Sequence, residues 1–162
     1  MPQTPARRPV AESRVLMTEI VLPEDTNPRG TIFGGRVLAL IDKCAAVVAM
    51  RHARSQVLTV SLDSVDFRSS VRLGDILLLE GRINAAFRSS MEIEVEVRAE
   101  DPATGRHDLT TRAFVTMVAV DGEGRPQAVP ALEIRREDER RRAREAGRRR
   151  RARLEHRGSP AR

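Results

Sequence analysis

From Arg36 to Arg54 the chain reads RVLALIDKCAAVVAMRHAR, with no glycine or proline and far too long for one strand. Apolar residues recur through it at helical spacing, so a long helix is expected from Gly35 to about Arg54. The other regular patterns before residue 130 have a period of two. A lone helix covers only one face of a sheet, so the chain must build a single antiparallel sheet laid against that helix.

The strand patterns are Val15 to Leu22 (VLMTEIVL, ended by Pro23), Gln56 to Phe67 (QVLTVSLDSVDF), Asp75 to Phe87, Ser90 to Ala99 and Asp108 to Val120. Alternation slips near Asp63 and Ser64, which predicts a bulge. In the fourth strand Met91, Ile93, Val95, Val97 and Ala99 alternate with Glu92, Glu94, Glu96 and Arg98, the pattern of a sheet with one wet face. Turns at Leu73-Gly74-Asp75, DPATGR and DGEGRP join these segments. The order β-α-β-β-β-β places the chain in the α+β class. We expect a disordered N-terminal segment at 1–13, a folded domain at 14–130, and an Arg/Glu-rich tail at 131–162 that is helical or disordered.

The formal net charge of +6 invites a nucleic-acid reading until it is divided along the chain. Residues 1–132 hold 16 basic against 17 acidic side chains, and residues 133–162 hold 13 against 6. The basic character thus belongs to the tail, which has few large apolar residues and is expected to be a solvated helix that frays. No Trp or Tyr offers a base-stacking platform, which argues against a nucleic-acid partner. Cys44 is the only cysteine, excluding an internal disulfide and, with no clustered histidines, a structural zinc site. A reducing, cytoplasmic setting fits, and no run has the composition of a signal peptide or membrane span.

Chemistry concentrates in DTNPRGTIFGG (Asp25 to Gly35) and in Asp42 beyond it. The amides of Gly34 and Gly35 open the helix, where free N–H groups and the positive dipole end favour an oxygen gaining negative charge. Gly35 and Asp42 lie two turns apart, about 10 Å along the axis on roughly one side. Asp42 falls on a stripe with Leu38, Ala45, Ala46, Ala49 and Ala53, away from Arg36 and Lys43. Plainer roles stay open for each: a tight loop for the glycines, a turn for Asn27 ahead of Pro28, a surface or paired position for Asp42. The three histidines, His52, His107 and His156, compose no triad with the serines.

Taken together, DTNPRGTIFGGRVLALID resembles the signature of hotdog-fold acyl-CoA thioesterases of the acyl-CoA hydrolase type, in which an N-P-x-G-T-x-F-G-G loop precedes an aspartate near the second helical turn. LTVSLDSVDF, VRLGDIL, RSSMEIEVEV and the Arg/Glu-rich tail extend the resemblance from about Val15 to Arg150. It implies a curved antiparallel sheet wrapped around one long central helix, dimers with acyl-CoA at the subunit interface, and assembly as trimers of dimers. It implies that Asp42 is the catalytic carboxylate, as general base or nucleophile, and that Asn27 holds water or the thioester in a site completed by the partner. The Gly35 amide would polarise the thioester carbonyl, with Gly34, Thr31 and Phe33 shaping the substrate site. Arg88, Ser89 and Ser90 resemble the coenzyme A contact, and Arg68 and Arg72 are further candidates. No cofactor is expected, since coenzyme A belongs to substrate and product. A non-catalytic acyl-CoA-binding regulator is the competing reading; a hotdog dehydratase would need a histidine that the loop lacks.

Overall fold

The structure, a computed structural model, describes residues 6–158. Strand β1 (Arg8–Pro9) and a 3-10 turn at Val10–Ser13 precede β2 (Val15–Ile20). A second 3-10 turn, Pro23–Asp25, opens the loop to α1 (Gly34–Ala53). Strands β3 (Gln56–Phe67), β4 (Ile76–Ala86), β5 (Ser90–Glu100) and β6 (His107–Val120) follow, then β7 (Leu132–Glu133) and α2 (Glu137–Gly158).

The main sheet is antiparallel in the order β2-β4-β5-β6-β3, leaving β2 and β3 as its edges. One face meets α1 through Val37, Leu40, Ile41, Cys44, Ala45 and Val48, all buried against Leu77, Leu79, Ile93, Val95, Val115 and Met117 of the strands. The alternation that placed Met91, Ile93, Val95 and Val97 on one face thus points them at the helix. Close approach is required at Gly81, where a Cβ would lie 2.8 Å from both Cys44 Sγ and Val48 Cγ2. The expected bulge is present: the β3–β6 register shifts between Asp63 and Asp66, and Ser64 takes φ of 55°. This is the hotdog arrangement.

Two expectations are corrected. The first is the wet face of β5, where Glu92, Glu94 and Glu96 are only 0%, 5% and 8% exposed. Helix α2 lies across that face, and it is docked, not a fraying solvated tail. Its contact stripe is Arg142, Ala146, Arg149 and Arg153, at helical spacing. Arg149 grips Glu92 with contacts of 2.7 to 3.2 Å and stacks 3.8 Å above the Phe114 ring. Arg153 bonds Asp63 at 2.7 Å, Arg142 approaches Glu94 at 3.8 Å, and Ala146 between them is fully buried. From the sheet itself Arg82 and Arg112 bond Glu96 at 3.1 and 2.7 Å. Burial alone would raise the Glu96 carboxyl, but the Arg112 hydrogen bond and the charges of Arg82, Arg112 and Arg98 outweigh it and hold it below the usual carboxylate range. Fixed cations replace water as the solvent of this acidic stripe, which makes the burial tolerable.

The second correction concerns the N-terminal segment. Residues 1–5 of it lie outside the described residues, but 8–13 are structured. The Arg8 N–H donates to Ala131 O at 3.0 Å and aligns β1 beside β7. The Arg8 guanidinium donates to the carbonyls of His52 and Arg51, a cation at the negative end of α1. His52 is buried and shares a 2.8 Å hydrogen bond between its Nε2 and Pro130 O, which ties the end of α1 to the segment before β7.

Candidate active site

The loop before α1 is organised around Asp25 and Asn27. The Leu22 N–H donates to the Asp25 carboxylate at 3.0 Å, and the Phe33 N–H donates to the Asp25 carbonyl at 2.8 Å. Arg36, in the first turn of α1, forms an ion pair with the same carboxylate at 2.8 Å. Asn27 Oδ1 accepts the Arg29 N–H at 3.0 Å, its Nδ2 donates to Thr31 Oγ1 at 2.9 Å, and Gly30 turns the chain at φ of 75°. The Asn-Pro turn is therefore built as the turn chemistry suggests, and it delivers Gly34 and Gly35 to the helix start. Among the described residues neither glycine amide has a hydrogen-bond acceptor.

Phenylalanines flank those donors. The Phe33 ring lies so close to Gly35 that a Cβ there would meet it at 2.8 Å, and Phe67 is 3.7 Å from the Cβ position of Gly34. Both rings are more than half exposed. Beside them a cleft of about 350 Å³ is lined by Thr31, Ile32, Gly34, Phe67, Arg68 and Val71 among others. Thr31, Gly34 and Arg68 are thus brought together at the start of the helix.

Asp42 lies two turns further along and is half-buried. Its Oδ1 accepts the Thr59 hydroxyl at 2.6 Å, and its Oδ2 has no hydrogen-bond partner among the described residues. Thr59 escaped the sequence reading. A threonine in a β-branched run is what strand propensity alone would place there, and only the pairing register reveals which residue faces the helix. That register sets Thr59 opposite Met117, and Met117 opposite Met91.

Arg88, Ser89 and Ser90 occupy the β4–β5 hairpin, at the Met91 and Met117 end of the sheet. The Val129 N–H donates to Arg88 O at 3.0 Å and the Ala119 N–H donates to Ser89 O at 2.9 Å, pinning the hairpin backbone while the Arg88 side chain stays exposed. This group lies at the Asp42 end, and Arg68 at the other end of β3. Within one chain no hydrogen bond joins Asn27 to Asp42 among the described residues. Arg72 is exposed at the Leu73 turn and borders a second cleft with Ser69 and Asp75. The described residues hold no group of three or more His, Cys, Asp or Glu side chains arranged to bind a metal, and no helix is long and apolar enough to cross a membrane.

An antiparallel sheet wrapped on one long helix, with free amides at the helix start and an oriented carboxylate two turns on, defines a hotdog thioesterase. Residues 29–106 match the thioesterase superfamily. The chain is 39% identical over 137 residues to the uncharacterized acyl-CoA thioester hydrolase YkhA of Bacillus subtilis, covering 85% of this chain and 80% of that one. It belongs to the acyl-CoA thioester hydrolase family of that superfamily. Against the mouse cytosolic acyl coenzyme A thioester hydrolase it is 35% identical over 141 residues, which span 37% of the mouse protein. A hexameric acyl-CoA thioesterase superposes with a TM-score of 0.91 at 48% identity, covering 96% and 99% of the two chains. An acyl-CoA hydrolase of Staphylococcus aureus, solved with butyryl coenzyme A and coenzyme A, superposes at 0.86 with 38% identity over 93% and 92%.

Proposed function

We propose that this chain hydrolyses acyl-CoA thioesters to a free carboxylic acid and coenzyme A. The observation that carries the reading is the Asp42 carboxylate, held by Thr59 at 2.6 Å on the same helix whose first turn presents the free Gly34 and Gly35 amides. The Gly35 N–H polarises the thioester carbonyl and receives the negative charge that develops on its oxygen. Asp42 Oδ2 takes the proton of an attacking water; attack by the carboxylate itself, through an anhydride that water then opens, uses the same geometry. The thiolate of coenzyme A departs readily, so the chemistry asks little more of the protein.

Asn27 belongs to the site across a subunit boundary, positioning water or carbonyl for the Asp42 of the partner. Leu58 and Val60 on the open edge strand β3, with Leu38 and Met50 of α1, are 36% to 55% exposed, an apolar strip that pairing of two chains would cover. Three such dimers make the hexamer. The lone reduced thiol of Cys44 agrees with a cytoplasmic setting. The Staphylococcus aureus hydrolase has been solved with an asparagine, an aspartate and a threonine each replaced by alanine, spaced in sequence as Asn27, Asp42 and Thr59 are here, which supports assigning these three to one site.

Thiol release from a panel of acyl-CoAs tests the reading. Wild type is expected to release coenzyme A, and Asp42→Ala to fall by about a hundredfold or more. If wild type binds acyl-CoA and releases nothing at any chain length, the protein is a binder, not a hydrolase. Single-turnover hydrolysis in labelled water tests the nucleophilic route, since label enters Asp42 only when water opens an anhydride at the aspartyl carbon.

A further inference from the structure

We infer that the outward ridge of α2, formed by Arg140, Arg144, Arg148 and Arg151, is a contact for an anionic lipid surface. The docked stripe of this helix, Arg142, Ala146, Arg149 and Arg153, faces the sheet. At 100° per residue the four ridge arginines fall on the far side of the rod, and all four are exposed. From Arg140 to Arg151 the ridge runs about 16 Å along the axis. It is short of counter-charge. Arg140 and Arg144 share one acid, Glu137, at 2.9 and 3.4 Å, while Arg148 and Arg151 have no carboxylate partner among the described residues. Arg151 Nη1 lies 3.8 Å from the position a Cβ of Gly147 would take, so its side chain runs back over that glycine. Glu155 is the only acid after Gly147.

The sheet supplies the acids that hold the docked arginines, so the ridge is presented as a fixed row of cations and not as a loose tail. The body offers no rival to it, since residues 1–132 carry 16 basic against 17 acidic side chains. Two observations favour lipid headgroups over nucleic acid. The ridge has no aromatic, amide or hydroxyl side chain to stack on or read a base. The part of the same sheet face that α2 leaves open exposes Leu16 and Ile20 of β2, by 71% and 60%. Val15 pairs with Gly81, which packs on α1, whereas Leu16 pairs with Glu80, a partner of Arg82 beneath α2; Leu16 and Ile20 therefore point to the α2 side. A bilayer takes up exposed apolar side chains beside a basic row, and a polynucleotide does not. Arginine meets a headgroup phosphate with paired N–H donors, and a row without apolar residues within it rests on the headgroups instead of entering the hydrocarbon.

Co-sedimentation of the full chain with phosphatidylglycerol/phosphatidylcholine vesicles, against phosphatidylcholine alone, tests this without turnover, so the result stands apart from whether thioesters are hydrolysed. Wild type is expected to bind only the anionic vesicles and to be released as salt rises from about 0.05 to 0.5 M. Arg148→Gln/Arg151→Gln breaks no ion pair and should weaken binding about thirtyfold, the worth of two arginines at an anionic surface. Arg148→Lys/Arg151→Lys should keep most of it. Arg7→Gln/Arg106→Gln removes the same charge from exposed positions off the helix and should leave binding within about threefold. Leu16→Ser/Ile20→Ser should weaken it less than loss of the two ridge arginines. Wild type that ignores anionic vesicles overturns the inference, as does an equal loss in the Arg7/Arg106 variant, which would reduce the attraction to net charge. A larger loss in the Leu16/Ile20 variant would put the contact on β2 and overturn it too. An RNA oligonucleotide that displaces the vesicles at equal phosphate concentration would give the ridge to nucleic acid. A smaller oligomer for Arg148→Gln/Arg151→Gln by light scattering would make it a contact between copies of this chain; either result overturns the lipid assignment.

Discussion

The Thr59 hydroxyl donates to the Asp42 carboxylate at 2.6 Å and so joins the edge strand of the sheet to its central helix. Thr59→Val keeps the shape and deletes the donor. It should cut kcat by about tenfold or more, with a smaller change in KM, because a freely rotating carboxylate spends little time aligned for proton transfer. Thr59→Ser should retain most of the activity. Equal kcat for the valine variant and wild type would show that Asp42 is held by something else.

Arg149 and Glu92 form a buried ion pair between α2 and the sheet, with the Glu92 side chain 1% exposed. Arg149→Ala leaves that carboxylate only the Asn84 amide at 3.2 Å and Arg153 at 4.0 Å and should cost about 3 kcal/mol in urea unfolding. Pairing it with Glu92→Gln should recover a good part of the loss. Arg140→Ala, which breaks only an exposed pair with Glu137, should change stability by about 0.5 kcal/mol or less.

His52 is pushed below its usual 6.5 chiefly by burial and further by the Arg8 charge, against the opposing Pro130 hydrogen bond and Glu12 charge. A group whose folded pKa is depressed is neutral in the fold and takes up its proton more readily when unfolded. Its contribution is therefore complete above about pH 6.5 and is lost as pH falls from there through the folded value. Stability measured between pH 7.5 and roughly pH 5 should decline, and His52→Gln should flatten that part of the curve. An identical slope in both proteins would place the titration elsewhere.

Gly81→Ala drives a methyl toward Cys44 Sγ and Val48 Cγ2, each 2.8 Å from the position it would take. We expect a loss of about 1 to 3 kcal/mol in chemical denaturation. Cys44→Ala in the same chain should relieve part of it, since the contact is a side chain rather than backbone.

What the sequence disclosed follows from how local each signal is. The long helix of RVLALIDKCAAVVAMRHAR, the turn at Asn27-Pro28 and the bulge near Ser64 depend on neighbours in the chain, and they stand where periodicity and turn chemistry put them. The β5 alternation identified Met91, Ile93, Val95 and Val97 as core, but an acidic stripe looks the same whether water or arginine covers it. Thr59 needed the β3–β6 register, with its shift after Thr59. Strand β1 spans two residues, too short to carry any periodicity, and its position depends on Arg8 finding a helix end 43 residues away.

The stripe of Glu92, Glu94 and Glu96 and the stripe of Arg142, Arg149 and Arg153 are far apart in the chain yet depend on each other. A substitution on either side alone leaves a charge without a partner, so neither drifts freely toward the apolar packing that most docked helices use. In a chimera this helix will seat only on a domain that keeps the acidic strand, and the two segments should be exchanged together when tails are swapped among related enzymes.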